Sequence, residues 1–148
     1  MSVNKLQLAL VPLGSAEAQL AERLFLPTTP AGSRSIVEVV SARFQGERLA
    51  ASLKGRAAAD WLIVSPDGRL GMMDVRCTIE TDDGALIYLQ YNGRILISSD
   101  GGPNWVYVAP RFETGDQRYS WLNRVQAVGK GVVEPATRRL TYDFYELV

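Results

Sequence analysis

The sequence predicts a single all-β domain over residues 1–148, a closed or nearly closed antiparallel β-barrel with at most one short helix, built around one small-molecule pocket. Three observations carry this. Most segments alternate apolar and polar residues with period two, the pattern of half-buried strands. Turn signals recur at short, regular spacing, giving nine or ten strands in hairpin-rich order; this suits a sandwich or a barrel, and a closed meander removes exposed edges. The chain has 148 residues, 47% hydrophobic and 22% charged, which is ordinary composition for one globular domain. A chain of that length buries roughly two-thirds of its unfolded surface and needs no disulfide or metal staple.

Taken in order, residues 5–11 read as a short first strand. Residues 14–25 read as the one helix, with Ser15 as N-cap and Ala16, Leu20 and Leu24 on one face. Pro27, Pro30 and Gly32 form a connection. A strand over 35–44, rich in Ile and Val, turns at Gln45-Gly46 into 48–53, and small residues link it to a strand over 60–65. The turn Pro66-Asp67-Gly68 presets φ at Pro and accepts positive φ at Gly. A strand over 70–81 ends in Asp82-Asp83-Gly84. Residues 85–91 pair back, Asn92-Gly93 signals a hairpin, and 94–98 continue. After a Gly-rich loop comes a strand over 105–109, an irregular stretch over 110–117, and a long strand over 119–133 with a bend or bulge at Gly129 and Gly131. The final strand covers 139–148.

Composition removes several function classes. The chain carries 16 basic and 16 acidic residues without a Lys/Arg run, which argues against nucleic-acid binding. No apolar stretch approaches the ~20 residues of a membrane span, and residues 1–10 lack the layout of a signal peptide, so a cytoplasmic location is expected. Histidine is absent, which eliminates Ser-His-Asp and Cys-His catalysis and histidine metal sites; proton transfer must use Asp, Glu, Lys, Tyr or water. The single cysteine, Cys77, lies in an alternating apolar register and reads as a core thiol. The paired carboxylates Asp82-Asp83 are too few for a calcium loop and read as a turn; no metal and no cofactor is expected.

Strand alternation groups the candidate site residues. In 72–82, one face carries Met72, Asp74, Arg76, Thr78 and Glu80, and the other Met73, Val75, Cys77, Ile79 and Thr81. The second face is a buried one; the first is either the wet outside of a barrel or a charged lumen. Asp74 and Arg76, at i and i+2, share a face and can pair, as burial would require. In 119–127, Tyr119, Trp121, Asn123, Val125 and Ala127 share a face that resembles an aromatic pocket lining; an aromatic core patch with Asn123 bonded to backbone is the other reading. Asp60, beside Trp61 at a strand entrance, is either a turn cap or a site acid. Glu113, between Pro110 and Gly115, is either a solvated loop acid or a general base over the barrel mouth. Tyr145 on the last strand is a weaker candidate.

These motifs together carry a resemblance. Ala59-Asp60-Trp61, Met73-Asp74-Val75-Arg76, Thr81 through Tyr88, Pro110 through Gly115, Tyr119-Ser120-Trp121-Leu122-Asn123-Arg124 and the closing Tyr145-Glu146 are similar to the domain of unknown function 3237 family, from about Ser35 to the C-terminus. The resemblance implies a small lipocalin-like or calycin-like barrel. It groups Asp60, Asp74, Arg76, Glu113, Trp121 and Asn123 as a candidate set. The chain departs from the family's tendency at Cys77, where an aromatic is usual, and over 97–103, where a longer insertion is common.

Three functions fit these observations. The first is a cofactor-independent enzyme of isomerase, cyclase or lyase type acting on a small hydrophobic or aromatic metabolite. Glu113 or Asp60 would move the proton, Arg76, Asn123 and Tyr88 would stabilise an oxyanion, and Trp61, Tyr88, Tyr119, Trp121 and Asn123 would bind substrate. The second is a non-catalytic carrier of a small apolar ligand. The third is a filled barrel serving as an interaction domain. A homodimer is the assembly considered, because small β domains often associate with two-fold symmetry.

Overall fold

A computed structural model describes residues 6–148. Residues 1–5, where the expected first strand begins and on which part of the signal-peptide reading rests, lie outside the described residues. Eleven strands form one sheet: β1 (Leu10–Leu20), β2 (Leu24–Thr29), β3 (Gly32–Gln45), β4 (Ala50–Leu53), β5 (Ala59–Val64), β6 (Leu70–Thr81), β7 (Leu86–Leu96), β8 (Asn104–Val108), β9 (Arg111–Glu113), β10 (Ala127–Glu134) and β11 (Arg139–Leu147). All pairings are antiparallel. Eight strands close into a barrel in the order β6-β5-β3-β1-β11-β10-β8-β7 and back to β6. Short strands extend this ring: β4 continues the slot of β5 between β3 and β6, β9 pairs with the first half of β7, and β2 pairs with β3.

The region expected as a helix, 14–25, is the end of β1, a connection and the start of β2. Ala16, Ala18 and Leu20 pack against the core while Ser15 and Glu17 are exposed, so the true period is two. Pairing on both sides, with β11 and with β3, overrides the helical propensity of the alanines and leucines. The strand expected over 119–133 also divides. Gln117–Arg124 is a 3-10 helix capped by Asp116, whose side chain accepts from the Arg118 N–H, and β10 begins only at Ala127. Asn92-Gly93 is no hairpin but the middle of continuous β7. Gly93 faces inward where the backbone carbonyl of Tyr107 on β8 crosses too closely for any Cβ.

The two halves of the barrel are filled differently. Toward the C-terminal end of β11, Phe44, Phe144, Tyr142, Ile79, Ile87, Phe112 and Leu122 make a packed core. Phe144 lies 5.7 Å from Phe44 and 4.8 Å from Tyr142, centroid to centroid. Gly129 and Gly131 give these rings room: a Cβ on Gly129 would stand 2.7 Å from Phe144 Cδ1, and one on Gly131 2.5 Å from Tyr142 Cδ1. At the opposite end, near the β10–β11 turn, the lumen is open. Among the described residues, no helix is long and apolar enough to cross a membrane.

Candidate functional site

The open half holds a cavity of about 420 Å³. Inward positions on neighbouring strands make its walls: Ser35, Val37 and Val39 on β3, Asp60, Leu62 and Val64 on β5, Met73 and Val75 on β6, Tyr91 and Ile95 on β7, Val133 on β10 and Leu140 on β11. Alternation places these residues inside, and register brings them together. Val37 is opposite Asp60, Asp60 opposite Val75, and Val75 opposite Tyr91, so one row across four strands carries a carboxyl and a phenol separated by one valine. A smaller cavity of about 70 Å³ lies beyond Tyr91, lined in part by Cys77 and Tyr142.

Asp60 Oδ1 accepts the backbone N–H of Asp74 at 2.9 Å. Among the described residues nothing in the protein bonds Oδ2, which leaves one carboxyl oxygen for the cavity. Burial pushes this group up to about 6; the Asp74 N–H opposes the rise and the Asp74 carboxylate adds to it. Ser35 is 1% exposed and lines the same space. Burial also raises both Tyr91 and Tyr142, which stay protonated; Tyr91 Oη donates to Tyr142 Oη at 3.4 Å with the rings edge to face. Asn104 Oδ1 accepts the Ser98 N–H at 2.8 Å, which leaves its amide N–H groups for the mouth. The arrangement is an apolar chamber with one carboxyl, that of Asp60, and two hydroxyls, those of Ser35 and Tyr91.

Of the nine residues singled out in the sequence, only Asp60 lines this cavity. Asp74 and Arg76 point outward on β6 and pair at 3.5 Å, so theirs is the wet face. Trp61 points outward on β5, with the Arg76 guanidinium 5.8 Å from its ring. Tyr88 and Glu113 are cross-strand partners on β7 and β9, in the packed half; Glu113 is exposed and stands on a strand, not over the mouth. The 3-10 geometry scatters the face assigned to 119–127. Tyr119 donates to Asp83 at 2.8 Å, Trp121 lies under the Arg48 guanidinium at 4.5 Å, and Asn123 clamps the backbone of Thr114, accepting its N–H at 2.8 Å and donating to its carbonyl at 3.0 Å. Tyr145 faces outward on β11. Sequence reasoning missed Ser35, Tyr91, Tyr142 and Asn104. Strand alternation could have flagged Tyr91, in register with Leu89 and Ile87. Among the described residues no three His, Cys, Asp or Glu side chains gather into a metal-binding group.

Comparison with known proteins agrees with this architecture. A β-barrel-like protein from Acinetobacter baumannii is 32% identical and superposes with a TM-score of 0.86, covering 99% of this chain and 100% of that one. A UPF0311 protein from Rhodopseudomonas palustris is 27% identical over 110 residues, 66% of this chain and 71% of that protein. A structure described as an enzyme from Penicillium herquei is 20% identical with a TM-score of 0.76 over 100% of both chains, a likeness of fold. Residues 8–147 match the family described as "Protein of unknown function (DUF3237)", and the chain belongs to that family.

Proposed function

We propose that the protein is a cofactor-independent enzyme in which Asp60 moves a proton on a small hydrophobic or aromatic metabolite held in the barrel, in an isomerase, cyclase or lyase type of reaction. The observation that carries this reading is the position of Asp60, an inward carboxyl with one oxygen fixed by the Asp74 N–H and the other open to an apolar chamber. A carboxyl raised to about 6 exists in both forms near neutrality, so it can take a proton from one position and return it at another. Ser35 supplies a neutral donor for a developing oxyanion; this replaces the Arg76, Asn123 and Tyr88 set, which faces away from the chamber. The description of the Penicillium herquei relative as an enzyme supports catalysis on this fold.

Solvent-proton exchange tests this whatever the product is. Wild type and Asp60→Asn are incubated in D2O with a panel of enolisable aryl ketones and cyclic enones, and deuterium uptake is followed by mass spectrometry. Catalysed uptake by wild type, lowered about a hundredfold or more in the variant, is expected. Equal uptake by the two proteins would remove Asp60 from the chemistry. The second reading, a carrier, draws on the apolar walls of Leu62, Val64, Val75, Ile95 and Val133. It predicts a ligand released chemically unchanged from denatured protein.

A further inference from the structure

The cavity changes character at its mouth. The inner walls are apolar apart from Asp60, Ser35 and Tyr91, whereas the rim carries Glu22, Arg23, Asn104 and Arg138. Two features set the rim arginines apart. Arg139 pairs with Glu17 at 3.0 Å, but neither Arg23 nor Arg138 has a carboxylate partner among the described residues. Their surroundings differ. The Arg23 guanidinium lies 4.1 Å from the centre of the Phe25 ring. Arg138 adopts φ 57, a left-handed conformation that glycine or asparagine takes more cheaply, and its carbonyl accepts the Leu20 N–H at 2.9 Å. The left-handed φ belongs to the β10–β11 turn, which the Arg138 N–H closes on the Glu134 carbonyl at 2.8 Å, and this turn places Arg138 at the cavity entrance.

We infer that the cavity takes an amphipathic ligand, whose ring-sized apolar body fills the barrel and whose anionic group stays outside against Arg23 and Arg138. The inference rests on the reading of this cavity as the ligand site and fixes the chemical class and orientation of what enters. An anion cannot descend, because the walls would strip its hydration and the Asp60 carboxylate would repel it. At the rim it meets two cations against the single carboxylate of Glu22, in a setting that still allows hydration. The Ser35 hydroxyl, which lines the cavity, suits a neutral acceptor such as a carbonyl or ether oxygen on the inserted body.

Two fluorescent probes of nearly equal shape test this. 1-Anilinonaphthalene-8-sulfonate carries the anion and N-phenyl-1-naphthylamine lacks it. Wild type should bind both, and the sulfonate affinity should fall as NaCl rises from about 50 to about 500 mM. The double variant Arg23→Gln, Arg138→Gln should weaken sulfonate binding about five- to tenfold and abolish its salt dependence, with the neutral probe unchanged within about twofold. Val64→Trp, which fills the chamber, should exclude both probes, and circular dichroism confirms that each variant is folded. Unchanged sulfonate binding in the double variant, an equal loss of both probes there, or sulfonate binding that survives Val64→Trp would each overturn the inference. Deuterium uptake by Asp60→Asn decides the proton-transfer reading, and probe binding by the rim double variant decides this one, so the two proposals fail separately.

Discussion

A carboxyl group that faces apolar walls loses hydration, and at Asp60 this outweighs the hydrogen bond from the Asp74 N–H. The folded chain therefore holds a proton there up to about pH 6, while the unfolded chain releases it near 3.8. Between those values the folded state binds more protons, so its stability falls as pH rises from about 4 to about 6 and is level above that for this group. The whole displacement corresponds to on the order of 2–3 kcal/mol. Asp60→Asn keeps an oxygen for the Asp74 N–H and removes the charge. Thermal unfolding should show the variant about 5 °C more stable at pH 8, with the gap closed at pH 4; a gap that is constant with pH would contradict the burial argument. Cys77 obeys the same physics without a catalytic consequence. Burial alone lifts its thiol to about 11, so a thiol reagent at pH 8 should label the native protein only as fast as it unfolds.

Among the elements, glycines and a clamp decide where strands can run. Gly93 lets β7 pass under the Tyr107 carbonyl of β8, while Asn92 beside it donates to the Met73 carbonyl at 3.2 Å. The pair that reads as a turn in sequence thus serves a crossing and a cross-strand bond. Gly93→Ala places a methyl against backbone, which has no alternative rotamer, and should destabilise the fold by about 2–3 kcal/mol in a denaturant titration. Asn123 acts on a loop in a comparable way. Its two bonds to Thr114 tie β9 to the 3-10 helix, and Asn123→Ala should cost about 1–2 kcal/mol without touching cavity binding.

Along the barrel axis the molecule divides into a packed half and an open one. Ring closure removes edges from the eight strands of the barrel, and the aromatic half, with about 70 Å³ unfilled, supplies the denser packing. The other half leaves about 420 Å³ unfilled, which forfeits packing. Truncation should therefore cost different amounts at the two ends. Phe144→Ala, in close contact with Phe44 and Tyr142, should lose about 3–5 kcal/mol, and Leu62→Ala, whose side chain already borders open space, about half as much. Equal losses would mean that the chamber collapses around its walls in solution.

Local pattern alone was enough for the barrel, because period-two alternation is a property of neighbouring residues and six of the strands are legible as such; the bounds of β6, Leu70–Thr81, follow from alternation and its two turns. The same pattern put Asp60 in register with Leu62 and Val64, and the ordered motifs pointed to the family. Which face of each strand turns inward is a matter of packing. Alternation defines two faces and is silent on their direction, so Asp74 and Arg76 stay ambiguous until the packing of β6 puts Met73, Val75 and Cys77 inside. The helix expected over 14–25 is overruled by ladders to β11 and β3, partners distant in sequence. The site has the same origin: Ser35, Asp60 and Tyr91 stand on β3, β5 and β7, and only the cross-strand register brings them to one chamber.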